Sequence, residues 1–313
     1  MAHAPFFKKT RIAPTPSGFL HLGNIFSFSL TAALAKKTHA SILLRIDDLD
    51  QHRVGKEYIQ DIFDTLNFLE LPWNEGPKDL KEFENYYSQL HRLESYRQAL
   101  QQLEAAGAVF ACTCSRTRIL KDSPTGVYPG TCRDKKLPLD TKDTSWRLLT
   151  NLPTTLKIKI YQNQVIETTL PAEMQDFVVK KRDGFPAFQL TSLVDDLYFG
   201  IDLIVRGQDL WPSTLAQHYL SHRLDGPHGP QDPAAPAAAP FRDITFYHHP
   251  LLLADGQKLS KSAGDTSIQQ LRKCGLKPAD IYSLISRQLG SREPAHTWEE
   301  LADLADGLNR SSP

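Results

Sequence analysis

The sequence predicts an α/β protein built on a Rossmann-type parallel sheet, with a small cysteine-bearing subdomain inserted into it and a short helical C-terminal segment. Three observations predict this class. A short strand ending at Ala13 passes through a Pro/Gly-rich turn into a helix, and a second apolar run of strand length follows at 41–46, which makes a β-α-β unit. Three of the four cysteines cluster at 112, 114 and 132, far from the fourth at 274. A later strand at 201–207 leads through a helix and a further strand to a basic loop at 258–262.

Composition sets the bounds. At 313 residues the chain is long enough for two domains or for one α/β domain with insertions. Its 41% hydrophobic and 23% charged content is that of an ordinary soluble globular protein. No apolar run approaches the ~20 residues of a membrane span, so no membrane partner is expected. Residues 1–11 carry Lys8, Lys9 and Arg11 without an apolar segment, which argues against a secretory signal and for a cytoplasmic location. The 36 basic and 36 acidic side chains cancel, so a nucleic-acid partner has to be held by a local basic face. In such a compartment a disulfide framework is not expected, and the cysteine cluster reads as a metal site or as core thiols.

In chain order, Arg11, Ile12, Ala13, Pro14 and Thr15 lead into a turn that neither strand nor helix can continue, and a helix opens at His21–Asn24 and runs towards Lys37. Gly18 and Gly23 let an anion approach the backbone, the helix N-terminus offers N–H groups and a positive dipole end, and His21 adds a donor. The turn therefore reads as a phosphate cradle, or else as a proline-rich surface turn with a buried histidine. Asp47, Asp48 and Asp50 then stand at the carboxyl end of the second strand, where an open sheet receives ligands and a cationic group could be met. Asp48 and Asp50 fit equally well as cap and first-turn acids of the next helix. Residues 54–69 carry Tyr58, Ile59, Ile62, Phe63, Leu66 and Leu69 at helical spacing and read as core. A loop at 71–77 precedes a second long helix over 85–106, with Leu90, Leu93, Tyr96, Leu100 and Leu103 on one buried face, ended by Gly107.

Cys112, Cys114 and Cys132 could converge on one zinc ion, with Tyr128 or a water completing the tetrahedron; unligated thiols are the alternative. Runs at 155–161 and 176–180 alternate as strands, their lysines facing solvent or a partner's phosphates. Arg206, near the end of the 201–207 strand and followed by Gly207, suits a carboxylate ligand, or pairs with Asp195, Asp196 or Asp209. Pro212 opens a helix bearing Leu215, Tyr219 and Leu220. Residues 225–240 form a low-complexity surface insertion without assigned chemistry. A strand region at 244–253 and a turn lead to Lys258, Leu259, Ser260, Lys261 and Ser262, whose lysines and hydroxyls can cover a triphosphate and follow its charge as pyrophosphate forms. Alone the pentapeptide is an ordinary exposed loop. Its weight comes from occurring with the His21 turn.

The pair His21-Leu22-Gly23-Asn24 and Lys258-Leu259-Ser260-Lys261-Ser262 resembles the two ATP-binding signatures of class I aminoacyl-tRNA synthetases. The strings 11–23, 45–50, 176–183 and 194–207 resemble the glutamyl branch, and the spacing of Cys112, Cys114, Tyr128 and Cys132 is similar to the zinc site of its short paralogues, the glutamyl-Q-tRNA(Asp) synthetase family. The resemblance spans roughly residues 9–290 and implies a class I synthetase fold. It implies activation of L-glutamate by ATP with Mg²⁺ and transfer to the queuosine base of tRNA(Asp), with a structural Zn²⁺, by a chain expected to be a monomer. It places Arg11, Ile12, Ala13, Pro14, Thr15, Asp47, Phe188 and Arg206 at the glutamate. It places His21, Gly23, Asn24, Lys258, Ser260 and Lys261 at ATP, with His21, Lys258 and Lys261 acting in catalysis. Asp47 stands where the family has Glu and Phe188 where it has Tyr. The implied domains are 1–106 and 184–262 as halves of the catalytic fold, 107–183 as the zinc and acceptor-binding insertion, and 263–313 as the helical end. Two further readings stand beside this one: a truncated glutamyl- or glutaminyl-type synthetase charging a tRNA 3′ end, and a catalytically silent zinc-bearing RNA-binding module.

Overall fold

The computed structural model describes residues 6–151, 154–224, 240–254, 257–258 and 267–310. In chain order its main elements are β1 (Lys9–Ile12), α1 (Leu22–Thr38), β2 (Ser41–Leu44), α2 (Lys56–Phe68), α3 (Leu80–Glu82), α4 (Leu93–Ala105), β3 (Val109–Cys112) and α5 (Arg116–Asp122). There follow β4 (Ser145–Leu148), β5 (Thr155–Ile160), β6 (Gln164–Thr169), β7 (Val178–Lys180), α6 (Phe188–Tyr198), β8 (Leu203–Gly207) and α7 (Trp211–Ser221). The chain closes with β9 (Thr245–His249), β10 (Leu253–Ala254), β11 (Gln257–Lys258), α8 (Ile268–Lys273), α9 (Pro278–Gln288) and α10 (Trp298–Arg310). Two compact units share it: Met1–His91 with Leu203–Gln208 and Tyr247–Pro313, and Arg92–Asp202 with Asp209–Phe246.

In the first unit β1 and β2 pair in parallel, Lys9 opposite Ser41 and Ile12 opposite Leu44. The pairing runs on past both strands, as Arg45 N–H donates to Ile12 O and Asp47 N–H to Pro14 O, each at 2.9 Å. On the other side of β1 lies β8, where the Arg11 guanidinium reaches Val205 O at 3.4 Å. The connecting helix α1 is buried on nearly every side, so its sequence carries little amphipathic contrast. Its buried hydroxyls are satisfied by back-bonding: Ser29 to Ile25 O, Thr31 to Ser27 O and Thr38 to Leu34 O, at 2.7–2.8 Å. Helix α2 buries Ile59, Ile62, Phe63 and Leu66, and the Tyr282 hydroxyl of α9 donates to Leu69 O at 2.7 Å just beyond it.

In the second unit β3, β4 and β7 form an antiparallel sheet. A hairpin of β5 and β6 pairs from Thr155–Thr169 to Ile160–Gln164, and β5 also pairs in parallel with the start of β9. Helices α4 and α6 are joined by a buried ion pair: Arg92 Nε and Nη2 donate to the two Asp195 oxygens at 2.8 and 3.0 Å, and the Tyr96 hydroxyl adds a third bond at 2.7 Å. Asp195 has no exposed surface, so a carboxylate at this depth depends on all three donors.

The structure corrects several expectations. The single helix over 85–106 is broken: a π-helical turn at Phe83–Tyr87 ends at Ser88, which is extended (ψ 142°), and a 3-10 turn at Gln89–Arg92 precedes α4. The cause is remote in sequence. Asp48 accepts the Ser88 hydroxyl at 2.5 Å and Gln89 N–H at 2.8 Å, and Gln89 Oε1 accepts Leu49 N–H at 3.0 Å, so the chain is pulled out of the helical path and Leu90 is left exposed. Asp48 is therefore a cap for that turn and not for α2, whose N-cap is Gly55. The two units change over at 91/92, 202/203, 208/209 and 246/247, and α4 and α6, joined by Arg92 and Asp195, lie with the cysteine-bearing sheet. Residues 225–239 of the low-complexity insertion, the 255–256 turn and 259–266, with Leu259, Ser260, Lys261 and Ser262, lie outside the described residues.

Candidate active site

The turn between β1 and α1 is set by its own backbone. Ser17 N–H donates to Thr15 O at 2.9 Å, and His21 takes an extended conformation (φ −123°, ψ 170°) as the N-cap of α1. The Asn24 side-chain oxygen accepts His21 N–H at 3.1 Å, so the cap residue is held from within the helix it opens. Gly23 packs tightly under the His21 ring: a Cβ there would stand 3.1 Å from its atoms Cε1 and Nδ1. His21, Gly23 and Asn24 are part-exposed at the mouth of an otherwise buried helix. A helix N-terminus of this kind presents N–H groups and a positive dipole end to an anion.

The chain returns to this turn from beyond the basic loop. His21 forms an isolated antiparallel bridge with Ser267, and Ile268 N–H donates to Leu20 O at 2.8 Å. On the other flank of the loop, Lys258 in β11 pairs with Leu253 in β10. The segment that follows the second signature thus meets the first at His21.

At the carboxyl ends of β1, β2 and β8 sit Arg11, Arg45 and Arg206, with 5%, 3% and 4% exposure. Asp47, 8% exposed, accepts Arg45 Nε at 2.7 Å and Nη2 at 3.1 Å, a bidentate pair. Its N–H contact with Pro14 O brings it against the Ala13–Thr15 turn, where Ala13 is half-buried and Thr15 exposed. Asp47 thus presents beside that turn a carboxylate already paired with Arg45. Arg45 was not among the expected site residues; a basic residue two positions before an acid at a strand end is the signal that could have found it. Phe188, by contrast, is the first residue of α6 in the second unit, 43% exposed. Asp195, one alternative partner for Arg206, accepts Arg92 and Tyr96.

In the second unit Cys112, Cys114 and Cys132 converge, their sulfurs all within 4.8 Å of one another and buried. Cys114 Sγ lies 3.7 Å from Cys132 Sγ, close to the edge of about 3.8 Å for a tetrahedron of thiolates at ~2.3 Å from zinc. Tyr128 joins them: its Oη accepts Cys132 N–H at 2.8 Å and lies 3.5 Å from Cys112 Sγ. Burial and the neighbouring thiols push Cys114 up to about 11. Burial would raise Cys132 too, but bonds from the Thr113 backbone and hydroxyl bring it down to about 7. Burial, with the Cys112 thiol, holds the Tyr128 phenol above its usual range. Asp176, in a left-handed conformation (φ 46°), braces the surrounding loop by accepting Arg133 Nη1 and the Thr150 N–H and hydroxyl at 2.9–3.0 Å. The donor set, spacing and burial fit a structural zinc.

The tRNA synthetases class I (E and Q), catalytic domain, match residues 8–297. The chain belongs to that family. Within it, this catalytic domain is 33% identical to a Glutamyl-Q tRNA(Asp) synthetase of Nocardia farcinica over 304 residues, 94% of this chain and 88% of that one. It is 31% identical over 297 residues to Glutamate–tRNA ligase 2 of Nitrosococcus oceani, covering 89% of this chain but only 58% of the ligase's length. The fold is that of the glutamate-tRNA synthetase of Elizabethkingia anophelis: TM-score 0.70 at 19% identity, over 95% of this chain and 65% of that one.

Proposed function

We propose that this catalytic domain activates L-glutamate with ATP, without needing tRNA, and transfers the glutamyl group to the queuosine base of tRNA(Asp). The observation that carries the first half is the meeting of His21 with Ser267 and of Leu20 with Ile268, which brings the segment following the second ATP-binding signature to the helix N-terminus of the first. The acceptor is supported by the likeness to Glutamyl-Q tRNA(Asp) synthetases, 32–33% identical to the chain in Nocardia farcinica and Nitratidesulfovibrio vulgaris.

In the proposed reaction a substrate carboxylate oxygen attacks the α-phosphorus in line, the bond to the bridging oxygen breaks, and pyrophosphate leaves with the electron pair. No protein nucleophile is needed, so the rate rests on positioning and on charge stabilisation. His21 and the α1 N-terminus receive the phosphates, which arrive with Mg²⁺, while Lys258 and Lys261 follow the charge onto pyrophosphate. Asp47, held by Arg45, takes the α-ammonium, and Arg11 and Arg206 bring positive charge for the glutamate carboxylates. A hydroxyl of the modified base then attacks the adenylate carbonyl and AMP departs. Cys112, Cys114, Cys132 and Tyr128 would hold a zinc that would supply no step and would cross-link a loop-rich region.

The test is glutamate-dependent ATP–pyrophosphate exchange without tRNA, followed by transfer of labelled glutamate to tRNA(Asp) with and without queuosine. Exchange together with queuosine-dependent transfer is expected. Transfer to the 3′ end of a queuosine-free tRNA would replace this reading with that of a charging enzyme, and absence of exchange would leave a binding module.

A further inference from the structure

Cys112 stands on one face of the β3–β4 ladder, beside residues that the zinc reading leaves unused. Phe110 and Arg147 are direct cross-strand partners, as are Cys112 and Ser145 two residues on, so Phe110, Cys112 and Arg147 share that face. The Tyr128 ring rests on the first of these pairs. It stacks on Phe110 with centroids 6.3 Å apart and planes 28° apart, and the Arg147 guanidinium carbon lies 3.8 Å from its centroid. With the ring so placed, the phenol oxygen lies 2.8 Å from Cys132 N and 3.5 Å from Cys112 Sγ.

Arg147 is an expensive neighbour for that ring. It is 7% exposed, its Nη1 donates at 2.8 Å to the backbone carbonyl of Asp176, and its buried Nε has no partner among the described residues. Packing alone would be met at lower cost by Met or Leu, because a buried guanidinium loses its hydration. What the charge adds is direction. A cation is drawn to the face of an aromatic ring and not to its edge, so it fixes the plane of Tyr128 and with it the line along which the phenol oxygen points. The anchor of Arg147 also serves Cys132. The Asp176 carboxylate accepts Arg133 Nη1 at 2.9 Å, and Arg133 follows Cys132 directly, so one residue braces the supports of two members of the cluster.

We propose that Arg147 is a positioning residue for the metal site: held by the Asp176 carbonyl, it sets the Tyr128 ring so that the phenol oxygen, and not a water, completes the ligand set of the three cysteines. The inference rests on the reading of Cys112, Cys114, Cys132 and Tyr128 as a zinc site. It gives Arg147 no bond to the ion. Outer residues of this kind act by keeping a ligand in its bound orientation before the ion arrives, and their loss lowers metal affinity about ten- to a hundredfold.

The experiment compares wild type, Arg147→Met, Tyr128→Phe and the double variant. Zinc affinity is measured by competition with a chromophoric chelator, and site geometry by the visible spectrum of the Co²⁺-loaded proteins. Arg147→Met is expected to bind zinc about ten- to a hundredfold more weakly, with its Co²⁺ bands moved towards those of Tyr128→Phe. The double variant should bind no more weakly than Tyr128→Phe, because Arg147 acts only through that ring. Unchanged zinc affinity in Arg147→Met, with or without a lowered melting temperature, would mean a merely structural guanidinium and overturn the proposal. So would additive losses in the double variant, or a Tyr128→Phe protein that binds zinc as tightly as wild type. Should Arg147→Met fail to fold, Arg147→Gln keeps a donor but places no charge over the ring, and unchanged affinity there overturns the proposal equally. Wild type that takes up neither zinc nor Co²⁺ overturns the zinc reading itself, and this inference with it.

Discussion

Charged and titratable side chains are where single residues decide most in this chain. Lys261, in the basic loop, is expected to act only on charge that develops as pyrophosphate leaves. Lys261→Ala should therefore lower pyrophosphate exchange at least about tenfold with little change in the melting curve, and an unaffected rate would remove the loop from the mechanism. His218 on α7 is different, because it is buried for packing and both ring nitrogens lack a hydrogen-bond partner among the described residues. Its ring sits against Phe241 and Phe246, and burial, aided by nearby His222, lowers its pKa from 6.5 to about 4. The native state therefore keeps it neutral while the unfolded chain takes a proton. Stability from this group is complete above the unfolded value of 6.5 and is lost as pH falls towards about 4. The loss is of order 3 kcal/mol at ~1.4 kcal/mol per unit. Urea midpoints measured from pH 7 to 4 should fall in wild type and stay flatter in His218→Phe; parallel curves would refute this.

Among the elements, those set by local pattern are legible in the sequence and those set by remote polar contacts are not. The β1–α1–β2 unit is readable to within one or two residues, because apolar runs of strand length flank a helix and Pro14, Pro16 and Gly18 punctuate the turn. The break at Ser88 is not, because it depends on Asp48, far away in sequence, and periodicity carries no information about that carboxylate. Helix α6 is hidden for another reason: eight of its eleven residues are buried, Asp195 and Asp196 among them, so it shows no polar face. Arg45 carries only the weak signal of a basic residue two positions before an acid at a strand end. The cysteine cluster, with Tyr128, is legible by spacing, and its geometry gives a prediction for the whole β3–α5 region. Wild-type protein should retain about one zinc per chain, and Cys132→Ser should lose it and melt at lower temperature, as when a metal supplies folding energy. Wild type that is metal-free and equally stable would dismiss the ion.

For the molecule as a whole, equal numbers of acidic and basic side chains leave no net charge to draw in a polyanion. Binding of tRNA then has to rest on local cations, and the end of β7 offers two backed by aromatic rings: Lys180, 4.1 Å from the Trp146 ring centroid, and Lys181, 5.7 Å from that of Phe185. Replacing both with alanine should weaken tRNA binding and make the plot of log K against log salt shallower by about one for each phosphate that the pair neutralises, leaving tRNA-free exchange unchanged. An unaltered slope would exclude them from the interface. The division into two interleaved units is not legible in the sequence, because it follows from which helices share the Arg92–Asp195 pair and not from any change in composition. The bridge between His21 and Ser267 has one more consequence, which concerns biosynthesis. His21 is made well before Ser267, so on the ribosome this bridge stays unformed until residue 267 has emerged, and a product released before that point would hold the His21 turn without its partner strand.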